Sequence, residues 1–158
     1  MFLASRGAPI KVGRYTVVQM DRIPLSRGSI MVEFLDSESE RPGGVRIEVP
    51  GGLIHLPDGS ASKLLYVWDE QGLARRVSYD VESPSGEVLI SNLYRIRHNS
   101  GLVTEDGWTG NAGMVVTKKS KKKRLYRCSD GMGEFNPNDH VFTVGWREQM
   151  AAKSARKR

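Results

Sequence analysis

Short runs of apolar and β-branched residues, separated by polar turn residues, set the rhythm of this chain. The run Val45-Arg46-Ile47-Glu48-Val49 alternates apolar and charged positions, which is typical of a strand with one buried face. The turn Pro57-Asp58-Gly59-Ser60 combines a proline that fixes φ with a glycine that accepts positive φ. The run 87–97 is long for a single strand, and we expect it to be bent or bulged near Ser91-Asn92. Further β-prone runs begin at residues 15, 30, 53, 64, 74, 114, 125 and 141.

Roughly ten such runs, at intervals of about 8–12 residues, predict an all-β fold. We expect a single-domain antiparallel sandwich or barrel of roughly 8–10 short strands over residues 1–146. Only residues 147–155 have the composition of a helix, because they contain good helix formers and no breaker. Residues 147–158 are therefore predicted to form a basic C-terminal helix or tail.

One cationic run changes this picture. Lys118-Lys119-Ser120-Lys121-Lys122-Lys123-Arg124 places six charges in seven residues, and short apolar stretches flank it on both sides. This pattern predicts a protruding basic hairpin at about 113–128. Residues 1–106 carry 12 Lys/Arg against 14 Asp/Glu, whereas residues 107–158 carry 12 against 4. Since the positive excess lies in the last third, the sequence favours a local anion-facing patch.

We interpret this patch as a surface for nucleic acid or another polyanion. Lysine suits it, because a point charge on a flexible stem can meet phosphates in any register. Trp108 and Tyr126 are the aromatic candidates for stacking on bases, although aromatic residues also fill β cores. A solvated loop or a localisation signal is the competing interpretation of the lysine run. The predicted contact residues are Lys118, Lys119, Lys121, Lys122, Lys123, Arg124, Tyr126, Arg127, Trp108, Lys153, Arg156, Lys157 and Arg158.

No pattern in the sequence indicates catalysis, a cofactor or a metal. His55, His98 and His140 lie far apart, and the close pairs that usually mark zinc sites do not occur. Gly131-Met132-Gly133 lacks the third glycine of a dinucleotide-binding loop. Cys128 is the only cysteine, so it cannot form an internal disulfide, and a buried structural thiol is expected. We predict no catalytic residues, no cofactor and no metal, and we favour a protein that is not an enzyme.

Three functions fit these observations. The first is a non-enzymatic β-domain that binds nucleic acid or another polyanion through the basic hairpin and tail. The second is a structural subunit of a virion or other multi-subunit particle, in which the chain forms a homo-oligomer or larger assembly. The third is a β-barrel carrier or enzyme for a small molecule, with an interior lined by His55 or Arg95.

The apolar runs also bear on location. None approaches the roughly 20 residues that a membrane span needs, and the N-terminal apolar stretch is too short for a signal peptide. We expect no membrane partner and a cytoplasmic protein, with nuclear or virion-associated locations as alternatives.

Overall fold

The computed structural model describes residues 5–106 and 112–150, which form fourteen strands in antiparallel sheets. A seven-stranded and a five-stranded sheet share one hydrophobic core, so the predicted all-β antiparallel fold is confirmed and has the form of a sandwich. The strands are β1 (Ile10–Val12), β2 (Tyr15–Val17), β3 (Asp21–Pro24), β4 (Arg27–Phe34), β5 (Gly43–Glu48), β6 (Leu53–His55), β7 (Ala61–Ser62), β8 (Leu64–Asp69), β9 (Arg76–Glu82), β10 (Glu87–Arg97), β11 (Val103–Asp106), β12 (Gly113–Ser120), β13 (Lys123–Ser129) and β14 (His140–Glu148).

The seven-stranded sheet has the strand order β12-β13-β14-β4-β9-β6-β7. Because side chains alternate between the two faces of a strand, every second residue of β4 and β14 enters the core. Val32 and Val144 are fully buried examples, and the two residues are paired across the strands. The intervening residues form the outer face of this sheet.

The five-stranded sheet is built around β10, where the expected bulge is absent. The register between β10 and β5 runs without a shift from Leu89 to Tyr94, so there is no bulge at Ser91-Asn92. The great length of β10 instead allows two strands to share its other edge. β3 pairs with residues 87–90 and β11 with residues 94–97.

The C-terminal expectation also needs a correction. Arg147 and Glu148 do not begin a helix, because β14 continues through both and pairs with Ser29 and Gly28 of β4. The neighbouring long strand β4 supplies hydrogen-bond partners up to that point, and those partners outweigh a weak helix propensity. Gln149 and Met150 are not helical either, and the rest of the predicted helix or tail, residues 151–158, lies outside the described residues.

Candidate nucleic-acid interface

The basic run lies at the margin of the seven-stranded sheet. β12 and β13 pair from Gly113 opposite Ser129 to Lys118 opposite Arg124, with a register shift before Ser120. The ribbon does not protrude, because β13 is also paired with β14 from Lys123 to Cys128. The pairing extends to the turn itself, where the Trp146 amide donates a hydrogen bond to the Lys122 carbonyl at 3.0 Å. The cations are therefore held on a sheet edge.

Five lysines of the run are exposed and have no carboxylate partner among the described residues. The arginines of the chain behave differently, because seven of them form ion pairs with Asp or Glu in the same part of the structure. We define the lysine edge as Lys118, Lys119, Lys121, Lys122 and Lys123. The positive charge of this lysine edge is left unneutralised.

Arg124, although part of the same run, is committed to the fold. Its guanidinium donates to Asp21 Oδ2 at 2.8 Å and to the Arg22 carbonyl at 2.9 Å. It also lies 5.3 Å from the centre of the Trp146 ring, and only 12% of the side chain is exposed. Arg124 therefore links β13 to β3 across the sandwich and is not a free cation for a ligand.

Tyr126 is a core residue, which corrects its assignment as a stacking platform. Its ring is stacked on Phe142, with the centroids 4.9 Å apart, and none of the residue is exposed. The hydroxyl donates to Asp21 Oδ2 at 2.7 Å. Burial, with the adjacent Asp21 carboxylate, raises the pKa of Tyr126 well above its usual range. No base can reach this ring in the folded protein.

The remaining predicted contact residues divide into two groups. Arg127 is partly buried, donates to Asn138 Oδ1 at 2.9 Å, and lies 5.7 Å from the centre of the Tyr15 ring. It is therefore held in place by the protein. The other group lies outside the described residues and consists of Trp108, Lys153, Arg156, Lys157 and Arg158.

Sequence reasoning missed a groove that borders the lysine edge on the outer face of the seven-stranded sheet. The groove encloses about 370 Å³. Its lining includes Lys122, Lys123 and Arg147 together with Met31 and Gly145. The alternation of β14 does place Gly145 and Arg147 on one face. The strands beside β14 cannot be identified from the alternation.

The two residues proposed to line a barrel interior do not face the core. The side chain of His55 is 44% exposed and lies 3.5 Å from Glu82. Arg95 is ion-paired with Glu70 and Glu105, and its guanidinium lies 3.9 Å from the centre of the Trp68 ring. Within residues 5–106 and 112–150, His, Cys, Asp and Glu side chains form no group of three that could hold a metal ion.

Two polar side chains inside the sandwich, Asn92 and His140, have atoms without a hydrogen-bond partner. Asn92 is 1% exposed, and neither its amide nitrogen nor its amide oxygen has a hydrogen-bond partner. His140 is 6% exposed with an unpartnered Nε2, and its ring packs against Gly43. Burial lowers the pKa of His140, and Arg41 acts in the same direction against the opposing effect of Asp130. These groups are remote from the lysine edge in the sheet register.

Comparison with known proteins does not assign the chain to a family. No protein-family model matches the chain, and neither a curated protein nor a solved structure matches it. In the part of the chain that the structure describes, no helix has the length and apolar character needed to cross a membrane.

Proposed function

We propose that this protein is a non-enzymatic β-domain that binds nucleic acid or a similar polyanion through its lysine edge. The observation that carries the proposal is the unneutralised charge of that edge. Five neighbouring lysines have no carboxylate partner among the described residues, although the same fold pairs seven arginines with Asp or Glu. A phosphate backbone would relieve the mutual repulsion of these lysines, and binding would release condensed counterions.

The rigid base of the edge supports this function. Lys123 is the first residue of β13 and is paired with Gly145 of β14. Arg124, directly next to it, is anchored to Asp21. The backbone of the cationic segment is thus held in place while the lysine side chains are free to move, so binding would cost little backbone ordering.

Protection of a sheet edge is the competing explanation. β12 lies at one end of the seven-stranded sheet, and lysines on an edge strand discourage pairing with other chains. This explanation predicts that loss of the lysines promotes aggregation but leaves affinity for polyanions unchanged. The two explanations therefore differ in a binding assay carried out on soluble protein.

The test compares two variants with the same change in net charge. One carries Lys118→Ser and Lys119→Ser in the lysine edge, and the other carries Lys11→Ser and Lys63→Ser elsewhere. Fluorescence anisotropy with a labelled DNA duplex, and separately with a labelled single strand, measures affinity at several salt concentrations. We expect the first variant to lose about 2 units of the log–log salt slope, since each phosphate contact contributes about 0.9. Equal effects of both variants, or no binding of either the duplex or the single strand by the parent protein, would overturn the proposal.

A further inference from the structure

The groove beside the lysine edge is formed by four neighbouring strands. Lys123 of β13 is paired with Gly145 of β14, Gly145 with Met31 of β4, and Met31 with Ser78 of β9. These four residues form one row across the outer face of the sheet. Because Gly145 has no side chain, the row has a depression at its second position. A Cβ added at Gly145 would make one ordinary van der Waals contact, with the Lys122 carbonyl at 3.6 Å, so the position can accept a side chain atom.

Cations lie on both sides of this depression. Arg147 follows Gly145 by two residues on the same face of β14. It is therefore a diagonal cross-strand neighbour of Lys123, and the backbones of the two residues are about 7–8 Å apart. Arg147 is exposed and forms no ion pair with any described residue. Three cations, counting Lys122, therefore line one groove with no acid among its lining residues.

The floor of the groove combines an apolar side chain, Met31, with the hydroxyls of Ser29 and Ser78. Met31 is 40% exposed on this outer face of the sheet. Ser29 and Ser78 also line the groove, and their hydroxyls have no hydrogen-bond partner among the described side chains. A polarisable thioether beside free hydroxyls suits a nucleobase, which has an apolar face and a polar edge.

The far end of the groove turns acidic. A second cleft continues from it, sharing Ser29 and Arg147. Its lining holds Asp80, Glu82 and Glu148 beside Arg27 and His55, and Glu82 lies 3.2 Å from Arg27 and 3.5 Å from His55. Asp80 and Glu148 form no ion pair with any described residue, so two unpaired carboxylates bound the cationic strip at this end. A second backbone, such as the complementary strand of a duplex, would meet these carboxylates and be repelled.

We propose that this groove is the docking site for a segment of single-stranded nucleic acid. The phosphates contact Lys122, Lys123 and Arg147, and one base occupies the depression over Gly145 against Met31. The inference rests on the proposed polyanion-binding function and adds a site, a strandedness and a new contact residue, Arg147. Lys121, next to Lys122 in the turn, extends the path of the phosphate backbone away from the acidic end, whereas Lys118, opposite Arg124, lies on the other face of the sheet.

The experiment fills the groove without changing the net charge. Gly145→Leu places a side chain in the depression, and its Cβ would make only an ordinary contact, with the Lys122 carbonyl at 3.6 Å. Circular dichroism confirms that each variant is folded before binding is measured. Thr117→Leu adds the same apolar bulk at an exposed position of β12 that does not line the groove. A second pair compares Arg147→Ser with Lys63→Ser, which lies in the loop between β7 and β8. The probes are an oligothymidylate of about 12 nucleotides and a duplex of equal length.

If the groove binds the single strand, Gly145→Leu and Arg147→Ser should each weaken oligothymidylate binding about tenfold, which corresponds to about 1.4 kcal/mol. The controls Thr117→Leu and Lys63→Ser should change the affinity for oligothymidylate less than about twofold. Equal affinities of Gly145→Leu and the parent protein would exclude the groove, while the loss on changing Lys118 and Lys119 would still support the proposed function. Tighter binding of the duplex than of the single strand would also overturn the inference. Binding of neither probe by the parent protein would refute the proposed function itself.

Discussion

The hydrogen bond between Tyr126 and Asp21 offers a sharp test of how the basic segment is built. Asp21 Oδ2 accepts from the Tyr126 hydroxyl at 2.7 Å and from the Arg124 guanidinium at 2.8 Å. Tyr126→Phe removes the first bond, leaves the stack on Phe142 in place, and leaves Asp21 paired with Arg124. A hydrogen bond to a charged group contributes about 1.5–3 kcal/mol. We expect the free energy of unfolding to fall by about 1.5–2 kcal/mol, the lower part of that range, because the carboxylate keeps one partner.

Urea denaturation followed by tryptophan fluorescence measures this change, which should lower the midpoint and leave the slope unaltered. Tyr79→Phe is the matched control. Tyr79 is partly buried, and burial alone raises the pKa of its hydroxyl. Its loss should cost less than about 0.5 kcal/mol, as expected away from a buried polar pair. Nucleic-acid affinity of folded Tyr126→Phe should equal that of the parent protein. Weaker binding with unchanged stability would show that Tyr126 contacts the ligand, and the reasoning would fail.

Three further predictions concern the core. Burial lowers the pKa of His140 below its ordinary value of 6.5, so the unfolded chain binds the proton more tightly and stability should fall as pH drops below 6.5. Thermal melts across this range should show that loss in the parent protein and a smaller one in His140→Gln. Burial raises the pKa of the Cys128 thiol, so an aromatic disulfide reagent should react with it only after denaturant is added. Gly43→Ala places a Cβ 2.3 Å from His140 Nδ1 and should cost about 1–3 kcal/mol in urea, whereas Gly145→Ala should cost far less.

The β architecture could be predicted from the sequence because burial of one face leaves an alternating pattern. The ten predicted runs correspond to strands, whereas β1, β3, β7 and β11 were missed. Each of these four strands has only two to four residues. Such short segments carry too little alternation to stand out from loops, and their pairing depends on partners that lie far away in sequence.

The candidate site was only partly predictable for a related reason. The lysine run is visible as composition, but the commitment of Arg124 to Asp21 joins residues 103 positions apart in the chain. The groove depends on the order in which β13, β14, β4 and β9 lie side by side. That order is set by tertiary packing, and alternation within a strand carries no information about its neighbours.

The salt dependence of binding by the parent protein tests the central claim most directly. The lysine edge supplies five cations that have no partner among the described residues, and Arg124 is withheld by its ion pair with Asp21. If each of the five neutralises one phosphate, the logarithm of the affinity for a DNA duplex should fall against the logarithm of salt with a slope of about −4 to −5. For a single strand the corresponding slope is about −3 to −4. A flat dependence, or no binding at about 50 mM salt, would contradict the account.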